Sequence, residues 1–316
     1  MTTALQSSAM GFIEPLALGL EHISSNVPAS SLSAWAADTT YALHDEIIDS
    51  AGTIWRSLAD ANTGNRPEES PEKWQRRAAE NRLLMFDGHL GGATQNPDAI
   101  IVTLTPGRVV TDLWLTGLQA AWVHVQMWVP AADGTGPDEL VYDSDVIHML
   151  EPSGNSFWGY FFAPLKRRSK LHLGGLPAYV QARIVLTISN QGAIAQCREC
   201  IAGRSTWLGD TRINPSWGFD DWGDKGRDEW GGWQTNPDAP FSERMKLQVL
   251  VRGTDYERVR NAILAQRRKP VVWLGGQGYD VLTVYGRATS FEQILFAHGY
   301  SDCNLTIEGM EDHELD

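Results

Sequence analysis

The spacing of apolar positions divides the chain into stretches of different character. Residues 1–30 hold one short apolar run, GFIEPLALGL, followed by Ser, Asn and Pro, and read as an arm and linker. In residues 31–80 Tyr41 and Leu43 alternate, and DEIID and TIWRSL are joined through SAG, which predicts a hairpin. Pro67, Pro71 and Trp74 close that unit. Residues 83–205 carry repeated short runs rich in Val, Ile and aromatics: AIIVTL, RVVTDLWL, AWVHVQMWV, ELVYD, FWGYFFA, YVQARIVLTIS and CRECIAG. Turn residues such as TPG, AADGTGP and PSGN separate them with no helical period between, so each is expected as a strand of a jelly-roll β-sandwich.

Residues 206–240 show neither period. There Trp217, Trp222, Trp230 and Trp233 stand among Asp220, Asp221, Asp224, Asp228 and Glu229, a linking arm whose indoles are expected to be covered by protein with the carboxylates left wet. Within 241–310, MKLQVLVRG alternates as a strand. TDYERVRNAILAQRRK then places Tyr256, Val259, Ile263 and Leu264 at helical spacing, with Thr254 or Asp255 positioned to cap it. PVVWLGG, VLTVYGRAT and CNLTIEG follow as strands, giving a mixed α+β domain before an acidic tail at 311–316. The fold class expected is mainly β.

A chain of 316 residues exceeds the size of one usual hydrophobic core, so two or three domains are expected. A net charge of −13 argues against a nucleic-acid surface, which needs clustered cations. The one basic cluster, LKRRSK at 165–170, reads as a solvated turn. No run approaches the ~20 apolar residues of a membrane span, and MTTALQSSAMGF lacks the charged and apolar regions of a signal peptide, so a cytosolic origin is expected.

Three cysteines make no disulfide framework; Cys197 and Cys200 form one C-x-x-C without the second pair a zinc site wants, and Cys303 alternates within a strand. Thirteen tryptophans fit sugar binding, extensive interfaces, or both. No G-x-S-x-G, H-E-x-x-H, phosphate loop or EF-hand spacing occurs, and His124, His148 and His172 read as strand residues. No catalytic residue, cofactor or metal ligand set is assigned. Calcium held by Asp220, Asp221 and Asp224 is an alternative with nonstandard spacing.

Three stretches resemble known families. Trp35, Tyr41, His44-Asp45, Trp55, Gly64-Asn65-Arg66-Pro67 and Trp74 follow the pattern of the small chitin-binding modules of bacterial chitinases. The resemblance implies glycan contact by Trp35, Tyr41, Trp55 and Trp74, although Ala59 and Asp60 stand where such modules expose a stacking aromatic. Phe86, Asp87, Gly88 and Thr94, then Val109, Leu113 and Leu115, resemble the start of galactose-binding-like jelly rolls, with Asp87 a turn cap or a metal or sugar ligand. Leu208, Gly209, Thr211, Phe219, Asp220 and Trp230-Gly231, with Tyr285-Gly286, Phe291, Ser301 and CNLTIEG further on, resemble the linker and sheet-plus-helix halves of bacteriophage tail-tip ring proteins.

That last resemblance implies a structural, non-enzymatic component of a phage tail tip or baseplate, similar to distal tail proteins. Trp217, Trp222, Trp230 and Trp233 would then be subunit-interface residues of a hexameric ring, or of a trimer. Its partners would be the tail tube, the baseplate hub and a host surface glycan, and its place the virion after assembly in host cytoplasm. The alternatives are a carbohydrate-active enzyme and a free lectin-like glycan-binding protein.

Overall fold

The computed structural model describes residues 9–131, 136–152, 157–163, 165–212, 215–223, 241–276, 280–296 and 299–312. The protein is mainly β, and the chain divides into two compact units. One comprises Met1–Pro15 with Ala202–Asp316, the other Leu16–Ile201.

The discontinuous unit is a closed antiparallel sheet. Its first strand is Ala9–Pro15, in the segment expected as a free arm, and it pairs with Glu199–Thr211 on one side and Val271–Leu274 on the other. Met10, Phe12 and Ile13 are the reason: all three are buried, which a loose arm could not achieve. The sheet continues through Thr283–Leu295, Tyr300–Asp312 and Phe241–Arg252. The last of these returns to the strand Glu199–Thr211 through Asp210↔Leu250 and Thr211↔Val249, so the ring of strands closes. Closure satisfies edges that would otherwise template aggregation. At this seam a Cβ on Gly209 would run into the Leu250 carbonyl oxygen. Gly209→Ala should therefore lower stability by about 1–3 kcal/mol through overpacking, read as a shifted urea midpoint.

Alternation fills the interior of this unit. Met245, Leu247, Val249 and Val251 point inward and meet Trp273, whose indole N–H donates to the Gly286 carbonyl at 3.1 Å. The expected amphipathic helix is present as Tyr256–Ala265 and contributes Val259 and Ile263 to the core, while Leu264 is exposed. Asp255 occupies the N-cap position without a side-chain capping bond and instead faces Arg258 at 3.3 Å. Residues 206–211, expected in a linking arm, continue a strand, and Ser216–Asp221 is a further strand paired with Phe241–Arg252.

In the other unit, one sheet runs in the order Glu139–Asp143, Trp122–Val129, Arg183–Cys197, Thr94–Leu104, Ile23–Ser25. Its inner face is apolar throughout: Val123, Val125 and Met127, then Ile184, Leu186 and Ile188, then Ile100, Val102 and Leu104 are sealed from solvent. The paired strands Asp112–Thr116 and Lys170–Gly174 add Leu113, Leu115 and Leu171 to the buried set. The sandwich expected from the strand spacing is thereby formed. FWGYFFA departs from that expectation, because Phe157–Phe162 is a short helix at the tip of a small hairpin, Leu150–Pro152 with Leu165–Arg167. Aromatic strand preference reflects packing on a half-buried pleated surface, and this tip has no such surface.

The 31–80 segment forms two small sheets, Thr40–Tyr41 with Asn62–Thr63, and Glu46–Ile48 with Thr53–Ser57 and Trp74–Ala79. Asp49 turns the expected hairpin by accepting from Ala51 N and Thr53 N, and Gly52 supplies the positive φ of 82°.

Candidate functional site

Strand Trp122–Val129 alternates strictly. Val123, Val125 and Met127 enter the core, which obliges Trp122, His124, Gln126 and Trp128 to share the outward face. Neighbouring strands complete this face by register. Gln126 lies opposite Asp143 and Val185, His124 opposite Thr187, and Trp128 opposite Arg183 and Leu140. A bulge between Met127 and Trp128 brings Leu140 rather than Val141 opposite the indole.

The polar groups there are already oriented. His124 Nε2 lies 2.6 Å from Asp143 Oδ1, and Gln126 Nε2 donates to Asp143 Oδ2 at 2.9 Å. Hydrogen bonds from Gln126, His124 and the Asp145 backbone N–H hold the Asp143 carboxyl down at about 2. It is therefore a charged acceptor across the neutral and mildly acidic range. At the other end, the Arg183 guanidinium sits 5.9 Å from the Trp128 ring centre and donates to Asp138 Oδ2 at 2.7 Å. Two half-buried indoles thus bracket a carboxylate, an imidazole, an amide and a guanidinium. Six residues of strand separate the indoles by about 20 Å.

The residues expected to hold sugar sit otherwise. Tyr41 and Trp74 are buried with Ile47 in the core of the small module and meet edge to face at 5.2 Å, so neither offers a ring to a ligand. Trp35 and Trp55 pack against that core. The Trp35 and Trp74 indole N–H groups both donate to the Asn65 carbonyl, and Trp55 donates to Asp49 at 2.7 Å. Asp60 serves the fold by accepting from Leu43 N. Burial is the physical reason that Tyr41 and Trp74 present no ring: in so small a unit they are, with Ile47, the buried core.

Trp217 and Trp222, expected at a subunit interface, are exposed on the described chain; the Trp222 indole donates to Ser242 Oγ at 3.1 Å. Trp230, Trp233 and Asp224 lie outside the described residues. Asp87 caps its turn by accepting from His89 N at 2.8 Å. Its neighbour in space is Glu199, 2% exposed, whose carboxyl takes the Gly88 N–H while Oε2 finds no partner. Burial first, and the Asp87 charge second, push Glu199 up to about 9. These two carboxyl groups fall short of the six to eight oxygens calcium takes, and backbone carbonyls would have to supply the rest. Cys197 and Cys200 are buried, and burial pushes both thiols up, which keeps them protonated and unreactive. Among the described residues no group of three or more His, Cys, Asp or Glu side chains is placed to hold a metal.

The outward face is not among the sites expected from the sequence. Its signal was present as W-x-H-x-Q-x-W, in which the polar phase carries aromatics at both ends, whereas an ordinary solvated phase would carry charges.

No protein-family pattern and no curated protein matches this chain. Among solved structures it is similar to a chitosan-binding module of a chitosanase/glucanase from Paenibacillus sp. IK-5, at 13% identity and TM-score 0.25 over 40% of this chain and 84% of that one. It is similar to a carbohydrate-binding module of a family 31 glycoside hydrolase from Clostridium perfringens, at 10% identity and TM-score 0.25 over 60% and 100%. It is also similar to a fucolectin from striped bass, Morone saxatilis, at 11% identity and TM-score 0.24 over 74% and 92%.

Proposed function

We propose that this chain is a non-catalytic glycan-binding protein whose ligand lies along the outward face of the sandwich. The observation that carries the reading is the arrangement of Trp122 and Trp128 at the two ends of one strand face, with His124, Gln126 and Asp143 between them. A pyranose presents an apolar C–H face and an equatorial rim of hydroxyls. An indole stacks on the first, and a fixed carboxylate, imidazole and amide exchange hydrogen bonds with the second. The separation of the indoles suits several linked sugars better than one ring, so the expected ligand is an extended oligosaccharide or polysaccharide segment. Pre-oriented polar groups reduce the ordering cost of binding.

The test is affinity electrophoresis or calorimetry against polysaccharides. Trp128→Ala and Trp122→Ala should each weaken binding about ten- to a hundredfold, by analogy with aromatic–base stacking, and leave the melting temperature unchanged. Unchanged affinity in both variants would remove this face from consideration.

A second reading concerns assembly. Trp217 and Phe219 stand exposed on Ser216–Asp221, with their rings 6.4 Å apart and Phe219 6.5 Å from Phe241. An aromatic row on an edge strand favours burial against another copy. Under this reading the discontinuous unit builds a ring, a phage tail tip in a virion being its specific form, and presents the inserted 16–201 unit to surface glycan. Sedimentation velocity checks it: the chain should self-associate, and Trp217→Asp with Phe219→Asp should return it to monomer.

A further inference from the structure

The helix Phe157–Phe162 carries the most exposed aromatic cluster of the described residues. Phe157, Trp158, Phe161 and Phe162 are 71%, 69%, 61% and 75% exposed, and Leu165 beside them is 60% exposed. Their rings contact one another: Phe157 with Phe161 at 5.1 Å, Phe157 with Trp158 at 5.7 Å, and Trp158 with Phe162 at 5.5 Å. The base of the projection is fixed. Leu150–Pro152 pairs with Leu165–Arg167, Arg168 N donates to the Met149 carbonyl, and Met149 is fully buried. Following the rings along the chain come Lys166, Arg167, Arg168 and Lys170, four cations in five positions of a chain whose net charge is −13. Among the described residues Glu151 meets two of these cations, lying opposite Lys166 in register and 3.5 Å from Arg168.

We propose that this projection docks on an anionic lipid bilayer, its four rings entering the headgroup region while the cations meet lipid phosphates and carboxylates. Trp and Phe favour the membrane interface, and basic residues just behind them add attraction that falls with salt. A six-residue helix is far too short to cross the hydrocarbon core and so must lie at its boundary. The local positive charge opposes the sign of the rest of the chain, which a general solvated surface would not require. A glycan fits less well, because three of the four described rings are phenylalanines and the Trp158 indole N–H is the one hydrogen-bonding group among them. The inference is independent of the glycan-binding face.

The experiment is co-sedimentation of the full chain with vesicles of mixed phosphatidylglycerol and phosphatidylcholine, beside vesicles of phosphatidylcholine alone. The wild type should bind the anionic vesicles, at least about tenfold more weakly when the anionic lipid is omitted or the salt is raised. Trp158→Ser with Phe162→Ser, and separately Lys166→Glu with Arg167→Glu, should each lower binding by about tenfold or more with unchanged melting temperature. Trp128→Ala should bind vesicles as the wild type does. Failure to bind any vesicle, binding by both double variants equal to that of the wild type, or self-association that the Trp158→Ser, Phe162→Ser variant alone abolishes would each overturn the proposal, the last in favour of a second copy as occupant.

Discussion

Trp74→Ala should unfold the 31–80 module, costing about 3–5 kcal/mol of its stability, because a fully buried indole is replaced by a cavity that so small a unit cannot refill. Trp74 is 2% exposed, packs edge to face on Tyr41, and fixes the 62–65 turn through its bond to the Asn65 carbonyl. Trp35 would still donate to that carbonyl, so the loss comes mainly from packing and little from an orphaned acceptor. Hydrogen exchange of residues 31–80 reports the result directly: amides of Glu46–Ile48 and Thr53–Ser57 should lose protection while those of Trp122–Val129 keep theirs. A folded variant that has lost only sugar binding would return Trp74 to the role of a stacking platform.

Glu199 should make the stability of the 16–201 unit depend on alkaline pH. Its carboxyl is raised from 4.5 to about 9 in the folded chain, chiefly by burial, so the native state holds a proton that the unfolded chain releases. Its stabilising contribution is complete below pH 4.5 and is lost as pH rises through about 9. The change over that window is on the order of 6 kcal/mol. Glu199→Gln keeps the shape and removes the titration. The difference in melting temperature between variant and wild type should therefore grow steadily in the variant's favour between pH 5 and pH 9. Parallel pH profiles would show that the carboxyl is not held neutral. Calcium added at alkaline pH supplies a further reading. Recovery in the wild type but not in Glu199→Gln would show that a cation is taken up beside Asp87.

The strands were legible because their signal is short and local. AWVHVQMWV, YVQARIVLTIS and MKLQVLVRG each alternate over enough residues to fix both the element and its buried phase. The helix at Tyr256–Ala265 was legible from its period, although Leu264 shows that the apolar stripe is wider than the buried one. Long-range pairing was not legible. Nothing local in GFIEP announces that it fills the gap between Glu199–Thr211 and Val271–Leu274, because that place is defined only once residues 202–316 have folded. Aromatic residues misled in both directions. Tyr41 and Trp74 fitted a sugar platform and are core, while FWGYFFA fitted a strand and Phe157–Phe162 is a helix with Phe157, Trp158, Phe161 and Phe162 exposed. Ring type reports a need for contact and leaves the partner unnamed. The candidate face was visible only as the neglected phase of a strand whose other phase had already been assigned to the core.

The central claim is that glycan is bound on the outward face of the Trp122–Val129 sheet, and ligand-dependent hydrogen exchange tests it most directly. Once a glycan array has supplied a binding oligosaccharide, its addition should slow exchange in Trp122–Val129, Glu139–Asp143 and residues 183–189 and leave residues 31–80 unchanged. Protection confined to residues 31–80, or an array with no bound glycan, would contradict the account.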